Sequence, residues 1–174
     1  MGLDNIDQEA CQRYNVALGW TGGVNRRSVA ELALFFMIGL CRNAFQTALL
    51  MRKGVWEKDG GVQLSGRTIG LIGVGNIGKE VADLLTPFHC KILVNDVIDQ
   101  SKYYRKHGLI EASKEDIYAE SEIISLHVPL TSQTHHMIGL EQFSKMKPNA
   151  FLVNTSRGET VNQNDLKKVL QGGK

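Results

Sequence analysis

The sequence is poor in cysteine and proline, and neither charge is in strong excess. Its 174 residues include three cysteines and three prolines, and the net charge is +2. Because Cys11, Cys41 and Cys90 lie far apart without a CxxC pair or Cys/His cluster, we expect reduced thiols and no metal site. With so small a net charge and no basic run, we expect neither a nucleic-acid partner nor binding to a membrane surface.

The chain also lacks a hydrophobic run that could cross a bilayer. Its most apolar segment, residues 32–41, is ten residues long, whereas a membrane-spanning helix needs roughly 20. The first residues have neither the basic region nor the apolar stretch of a signal peptide. We therefore expect a soluble, cytoplasmic protein, and the length suits one domain with small appendages.

The most informative motif is glycine-rich: Gly73-Val74-Gly75-Asn76-Ile77-Gly78. An apolar run precedes it at residues 68–72, a helix-like run follows at 79–85, and a second apolar run at 91–94 leads to Asp96. Strand, glycine turn, helix, strand and acid, in this order, are typical of a dinucleotide-binding βαβ unit. The pattern predicts a Rossmann-type α/β fold, with a doubly wound parallel sheet between two layers of helices.

Each residue type in this motif has a physical role. Gly73 permits the tight turn, Gly75 lets the backbone approach a pyrophosphate, and Gly78 lets the helix pack closely on the strand. The helix N-terminus points N–H groups at the phosphates. Asp96 can accept hydrogen bonds from ribose hydroxyls and repels the 2′-phosphate of NADP, so NAD is favoured. The alternative is that Asp96 only caps the turn that follows it.

Residues 28–53 are predicted to form one long helix, opened by a capping box of Ser28 and Glu31. Its middle is apolar on all faces, so one face packs on the sheet and the other needs a second cover. The helix is either a central buried helix or a subunit interface, and we favour an interface in a homodimer. Residues 1–27 form a leading segment, with a helix at 8–14 and a strand at 15–20, and residues 66–174 form the dinucleotide-binding core.

The rest of the core alternates apolar strands with helices, as a parallel sheet covered on both faces requires. The predicted helices lie at residues 100–106, from 113 onward, at 140–146 and at 163–170. The predicted strands lie at residues 109–110, 123–128 and 150–154.

Ligands of such sheets bind beyond the carboxyl ends of the strands, which selects the glycine turn, Asp96, residues 127–129 and residues 155–157. Arg157 could hold a substrate carboxylate bidentately and polarise a neighbouring carbonyl. Alternatively it is a surface arginine paired with Asp165 or Glu159.

Hydride chemistry also needs a proton donor and acceptor. His127 is at the correct edge, although a histidine leaving a strand before proline more often packs against cofactor or backbone. His135 and His136 are expected to be solvated. No histidine–carboxylate pair is evident, so the catalytic set is incomplete.

Five motifs, at residues 2–7, 28–32, 68–78, 125–131 and 154–158, occur in the order found in one enzyme family. Together they resemble the D-isomer-specific 2-hydroxyacid dehydrogenases, close to the phosphoglycerate dehydrogenase branch. The resemblance implies a two-domain enzyme that interconverts a D-2-hydroxy acid and a 2-oxo acid using NAD, with 3-phosphoglycerate as one candidate substrate. It also implies a dimer built on the helices of the cofactor domain.

The resemblance assigns roles to individual residues. Arg157 matches the arginine that binds the substrate carboxylate. The positions matching pyrophosphate and ribose contacts are Gly73, Gly75, Asn76, Ile77, Gly78 and Asp96. The positions matching the lining of the adenine and nicotinamide sides are His127, Pro129, Thr134, Thr155 and Ser156.

The sequence departs from the family pattern in two ways. Asn162 and Gln163 replace two acids after Arg157, and we expect little effect because those acids mostly start the next helix. The substrate domain, with its acid/base histidine, would lie before Met1 and after Lys174, and the sheet should lack the strand that follows. The chain alone should therefore be inactive or nearly so.

Two alternative functions remain open at this point. One is a non-catalytic, NAD-sensing and dimerising interaction module of the corepressor type. The other is the nucleotide domain of a different NAD enzyme, of the formate dehydrogenase or adenosylhomocysteine type, although the run at residues 155–158 argues against the latter.

Overall fold

A five-stranded parallel sheet forms the centre of the computed structural model, which describes residues 2–3, 5–58 and 60–173. Asp4 of the motif at residues 2–7, and the boundary residues Met1 and Lys174, lie outside the described residues. The strands are β1 (Thr68–Ile72), β2 (Lys91–Asn95), β3 (Ile110–Glu111), β4 (Ile123–Leu126) and β5 (Phe151–Asn154). Their order in the sheet is β3-β2-β1-β4-β5, and every pair is parallel.

Eight helices are described along the chain. They are α1 (Gln8–Arg13), α2 (Arg26–Cys41), α3 (Ala44–Arg52), α4 (Asn76–Leu85), α5 (Ser101–Lys106), α6 (Lys114–Glu120), α7 (Leu140–Lys145) and α8 (Gln163–Gln171). Short 3-10 helices cover Thr86–Phe88 and Gly158–Thr160.

Successive residues of a strand point to opposite sides of the sheet, and the central strands contribute to two buried cores in this way. In β1, Ile69 and Leu71 join a core with α2 and α4. Ile72 joins the second core, which includes side chains of α6, α7 and α8. The sheet therefore lies between two helical layers, which confirms the predicted Rossmann-type α/β/α fold.

The predicted single helix at residues 28–53 is wrong. The chain forms α2 and α3, which meet at a 72° bend. Asn43 at the break has φ 52°, a left-handed conformation that asparagine tolerates better than most residues. A Cβ on Gly39 would lie 2.6 Å from the Phe45 ring, so the glycine lets α3 fold back against α2.

The start of this helix also differs from the prediction. Helix α2 begins at Arg26 after Asn25, and no side-chain cap closes its N-terminus. The Ser28 hydroxyl donates to the Asn25 carbonyl, and Glu31 pairs with Arg27 at 2.7 Å, so the expected capping box does not form. The helix predicted from residue 113 forms as α6, and it is opened by a capping box of Ser113 and Asp116.

The predicted strand at residues 15–20 is also wrong. These residues are exposed and join no strand of the described sheet, because they lie outside the two cores.

No single helix among the described residues is long and apolar enough to cross a membrane. Helices α2 and α3 reach that length and apolarity only as a bent pair.

Gly70 in β1 offers a test of this packing. A Cβ there would lie 2.4 Å from Ile117 Cγ2 and 2.5 Å from Ser121 Oγ, where α6 crosses the central strand. Gly70→Val should therefore lower the free energy of unfolding by about 1–3 kcal/mol through overpacking. Urea unfolding measures the change.

Gly19→Ala is the control, since a Cβ at Gly19 meets nothing within 4 Å. An unchanged urea midpoint for Gly70→Val would contradict the close approach of α6 to β1.

Candidate functional site

The glycine turn between β1 and α4 brings three backbone segments into close contact. Gly73 has φ 92°, and a Cβ there would lie 2.6 Å from the His127 carbonyl oxygen at the end of β4. A Cβ on Gly78 would lie 2.1 Å from the Gly73 carbonyl oxygen. Any side chain at either position would force the backbone apart.

Gly75 differs from the other two glycines because it borders open space. A Cβ at Gly75 meets nothing within 4 Å. It is the N-cap of α4, and no side chain caps this helix end. The first N–H groups of a helix have no partner within the helix, so those of Asn76, Ile77 and Gly78 remain suited to an anion placed over Gly75.

Asp96 is fixed beside this turn by backbone donors. Its Oδ2 accepts from the Val74 N–H at 2.6 Å, and its Oδ1 accepts from the Ile98 N–H at 3.0 Å. The second bond is the turn-capping contact considered as an alternative, whereas the first connects the carboxylate to the glycine turn. Each carboxylate oxygen has a further lone pair with which to accept from a ligand hydroxyl.

A cavity of about 620 Å³ opens next to the turn, at the carboxyl edge of the sheet. Most of the other predicted site residues line it: Asn76, Ile77, His127, Pro129, Thr155, Ser156 and Arg157. Asp96 and the three motif glycines lie beside the cavity and are not among its lining residues.

Thr134 belongs to the loop that follows Pro129. It is not among the lining residues of the cavity. Its hydroxyl donates to the Pro129 carbonyl at 2.6 Å and accepts from the Thr131 N–H at 2.8 Å. Thr134 thus holds the loop that carries Pro129 to the cavity.

The segment with Arg157 is held by Asn154, the last residue of β5. The Asn154 Oδ1 accepts from both the backbone N–H and the hydroxyl of Ser156, while its Nδ2 donates to the Arg157 carbonyl at 2.8 Å. Arg157 Nη1 also donates to the Ser156 carbonyl at 3.0 Å. Sequence reasoning missed this role, although an asparagine at a strand end is a common turn signal.

His127 is placed as a packed, neutral residue of the cavity wall. Its Nε2 shares a hydrogen bond with the buried Ser125 hydroxyl at 3.0 Å, and its Nδ1 is buried without a partner in the described part of the chain. Burial lowers the pKa of His127 to about 4. A ring that stays neutral near pH 7 is a poor proton donor, so its position favours packing over acid/base chemistry.

Other residues discussed in the sequence analysis lie near the site. His135 and His136 stack on each other with ring centroids 3.9 Å apart, and both are exposed as expected. Asn162 caps α8 through its Oδ1, so the amide that replaces an acid still starts the helix. Asp165 accepts from the Leu140 N–H and pairs with Lys168.

The leading segment supplies a wall of the cavity that the sequence analysis did not assign. Its lining residues here are Gly2, Leu3, Gln8, Trp20, Gly22, Gly23 and Asn25, followed by Val29 of α2. A glycine pair after a tryptophan was the available signal, since it indicates a tight turn beside an aromatic side chain.

Together these features fit a dinucleotide. A helix N-terminus without a side-chain cap borders open space at Gly75, a carboxylate lies at the neighbouring strand end, and an arginine lines the adjoining cavity. Fold and site therefore define a dinucleotide-binding domain of the doubly wound class.

Comparison with known proteins gives the family. The family model "D-isomer specific 2-hydroxyacid dehydrogenase, NAD binding domain" matches residues 34–174, and the chain belongs to this family. It is similar to hydroxypyruvate reductase of Thermotoga maritima, with 38% identity over 176 residues that cover 100% of this chain and 56% of the relative. It is also similar to D-3-phosphoglycerate dehydrogenase of Methanocaldococcus jannaschii, with 33% identity over 100% of this chain and 34% of that protein.

A solved structure agrees with this assignment. The D-lactate dehydrogenase of Aquifex aeolicus, solved with NAD and lactic acid, matches with a TM-score of 0.88 and 32% identity over 99% of this chain and 53% of that one. The chain thus spans about half the length of most relatives it matches. The predicted family and the NAD-binding domain are confirmed, and a corepressor-type module is not favoured.

The burial of His127 predicts a pH dependence of stability. The folded pKa is about 4, below the ordinary 6.5, so between these values only the unfolded chain binds the proton. Stability should fall as the pH drops from about 6.5 to 4, by up to about 3 kcal/mol from this residue. Urea unfolding at several pH values measures it.

His127→Asn should remove that part of the slope, and the exposed His135→Asn should leave the slope unchanged. Equal slopes for His127→Asn and the unmodified chain would show that His127 is not buried in its neutral form.

Proposed function

We propose that this chain is the cofactor-binding half of an NAD-dependent dehydrogenase that interconverts a D-2-hydroxy acid and a 2-oxo acid. The observation that carries the proposal is the placement of Arg157 on the same cavity as the N-terminus of α4. Bound NAD would accept or supply the hydride in this reaction. In this proposal, the residues of this chain bind and orient both NAD and the substrate acid.

Arg157 is the residue proposed to contact the substrate. A guanidinium can hold a carboxylate with two parallel hydrogen bonds and still donate toward the neighbouring carbonyl oxygen. That donor stabilises the negative charge that develops on the oxygen during reduction. The bonds from Asn154 fix the backbone on which Arg157 is carried.

The remaining site residues are proposed to hold the cofactor. The N–H groups at Gly75, Asn76, Ile77 and Gly78 would bind the pyrophosphate, with Gly73 setting the turn. Asp96 would bind the adenosine ribose. His127, Pro129, Thr155 and Ser156 would line the nucleotide, and Thr134 would position the loop.

We propose that the substrate domain and the proton donor lie in further segments of a longer enzyme. A mainly apolar groove of about 710 Å³ runs beside β5, the edge strand of the sheet. A further segment of the enzyme could cover this groove, which supports the proposal. The proposed substrate class is a small 2-oxo acid such as glyoxylate or hydroxypyruvate, with 3-phosphoglycerate as the alternative. Without the proton donor, these residues alone should turn over slowly or not at all.

We also propose a homodimer through the outer face of α2 and α3. Ala30, Ala33 and Met37 bury one face of α2, whereas Phe35 on the other face is 56% exposed. Phe35, Phe36 and Phe45 form an aromatic cluster with centroids 5.6–6.1 Å apart. Phe35 and Phe45 of this cluster are exposed, which favours their burial against a second copy.

A cytoplasmic location is part of the same proposal. It is supported by the free thiols of Cys11, Cys41 and Cys90, since a reducing compartment keeps cysteines in this state.

Asp96→Ala tests the cofactor assignment. Loss of the carboxylate should raise the Kd for NADH by about tenfold or more, because hydrogen bonds to a charged group are lost. NADPH should bind the unmodified chain more weakly than NADH, and the difference should narrow in the variant. Isothermal titration calorimetry measures all four Kd values.

Asp99→Ala is the control, because Asp99 is exposed and its carboxylate accepts from the Ser101 N–H in its own turn. Asp96→Asn keeps an acceptor for the Val74 N–H and isolates the effect of charge. Equal binding of NADPH and NADH by the unmodified chain would overturn the role of Asp96.

Phe35→Glu tests the dimer. A buried carboxylate would disfavour association, so light scattering should give a dimer for the unmodified chain and the 19.3 kDa monomer for the variant. Lys106→Glu, an exposed change on α5, should remain dimeric. A monomeric unmodified chain would refute the proposal.

A further inference from the structure

Trp20 stands out among the cavity residues that the family assignment leaves without a role. It is 54% exposed although it is one of the largest side chains of the protein. It lines the same cavity as Arg157 and Ser156. We propose that the Trp20 indole is the contact surface for the nicotinamide end of the bound dinucleotide.

The local backbone holds the indole at the cavity. A Cβ on Gly22 would lie 2.9 Å from Trp20 Cη2, so the ring folds back over the space that Gly22 leaves open. The position of the indole therefore depends on the absence of a side chain at residue 22.

The loop that carries Trp20 is attached to the phosphate-binding helix. Gly23 has φ 80°, and a Cβ there would lie 2.6 Å from the Asn76 side-chain nitrogen, so the loop rests on the first residue of α4. Just after the loop, Arg26 and Arg27 pair with Glu80 of α4 at 3.3 and 3.1 Å. Trp20 is thus held in a defined position relative to the pyrophosphate site.

The two ends of the dinucleotide can be told apart in this structure, and this step rests on the proposed function. Asp96 is not among the lining residues of the 620 Å³ cavity. If the pyrophosphate lies at Asn76 and the adenosine ribose at Asp96, the second nucleoside must enter the cavity that holds Arg157 and Trp20. The flat indole suits a planar aromatic amide through stacked or edge-to-face contact.

The test compares NADH with ADP-ribose, which lacks the nicotinamide ring, by calorimetry on this chain. Trp20→Ala should raise the Kd for NADH about tenfold, the order expected for loss of one stacked ring. The Kd for ADP-ribose should change less than twofold. Gly22→Val, which displaces the ring, should give the same selective loss.

Trp56→Ala is the matched control, because Trp56 is 79% exposed and does not line the cavity. It should leave both Kd values unchanged. A second measurement keeps Trp20 in place: with Trp56→Phe the only indole is Trp20, and its emission should fall strongly when NADH binds. The Trp20→Phe protein, with only Trp56, should show a smaller fall.

The outcomes separate the two proposals. If neither NADH nor ADP-ribose binds the unmodified chain, the proposed function fails and the role of Trp20 fails with it. If both bind and Trp20→Ala weakens them equally or not at all, the cofactor assignment stands and the role of Trp20 is overturned. Equal emission losses in the two single-tryptophan proteins would also overturn it.

Discussion

The close contact of β1, α4 and β4 at the glycine turn is the constraint on which the rest of the site depends. The Gly73 carbonyl occupies the place where a Cβ of Gly78 would lie, and the His127 carbonyl occupies the place of a Cβ on Gly73. Because no side chain separates these backbones, α4 starts directly at the carboxyl ends of two neighbouring strands. Asp96, Asn76 and the cavity wall after β4 are near each other for this reason.

Much of this arrangement could be predicted from the sequence, because it depends on local patterns. Apolar runs indicate the strands, the glycine spacing indicates the turn, and the rule on carboxyl ends of parallel strands selects the edge at which the 620 Å³ cavity opens. These patterns place Asn76, His127 and Arg157 at the same edge of the sheet, and all three line one cavity. The boundaries of α5, α7 and α8 are also within one residue of those expected, whereas α4 begins three residues earlier than the expected helix.

Most of the errors depend on contacts between residues that are far apart in the sequence. The bend at Asn43 is the exception, since its causes are local: a left-handed asparagine and the Phe45 ring in the space above Gly39. The strand expected at residues 15–20 has a suitable composition but no neighbouring strand. The wall around Trp20 likewise arises from contact with Asn76, which lies in a different part of the sequence. Hydrophobic periodicity indicates which residues are buried, but it does not indicate which element packs against them.

The strand order has a consequence for how the protein folds. β1 lies in the middle of the described sheet, yet it precedes the other four strands of that sheet in the sequence, and both of its partners come later. The pairing of β1 with β4 joins residues that are far apart in the sequence, such as Ile69 and Ile123. The chain between them must therefore close into a loop before this edge of β1 is paired. Parallel sheets with such non-local pairing fold slowly and expose unpaired strand edges meanwhile. The central strand β1 therefore keeps an unpaired edge until β4 has been added to the sheet.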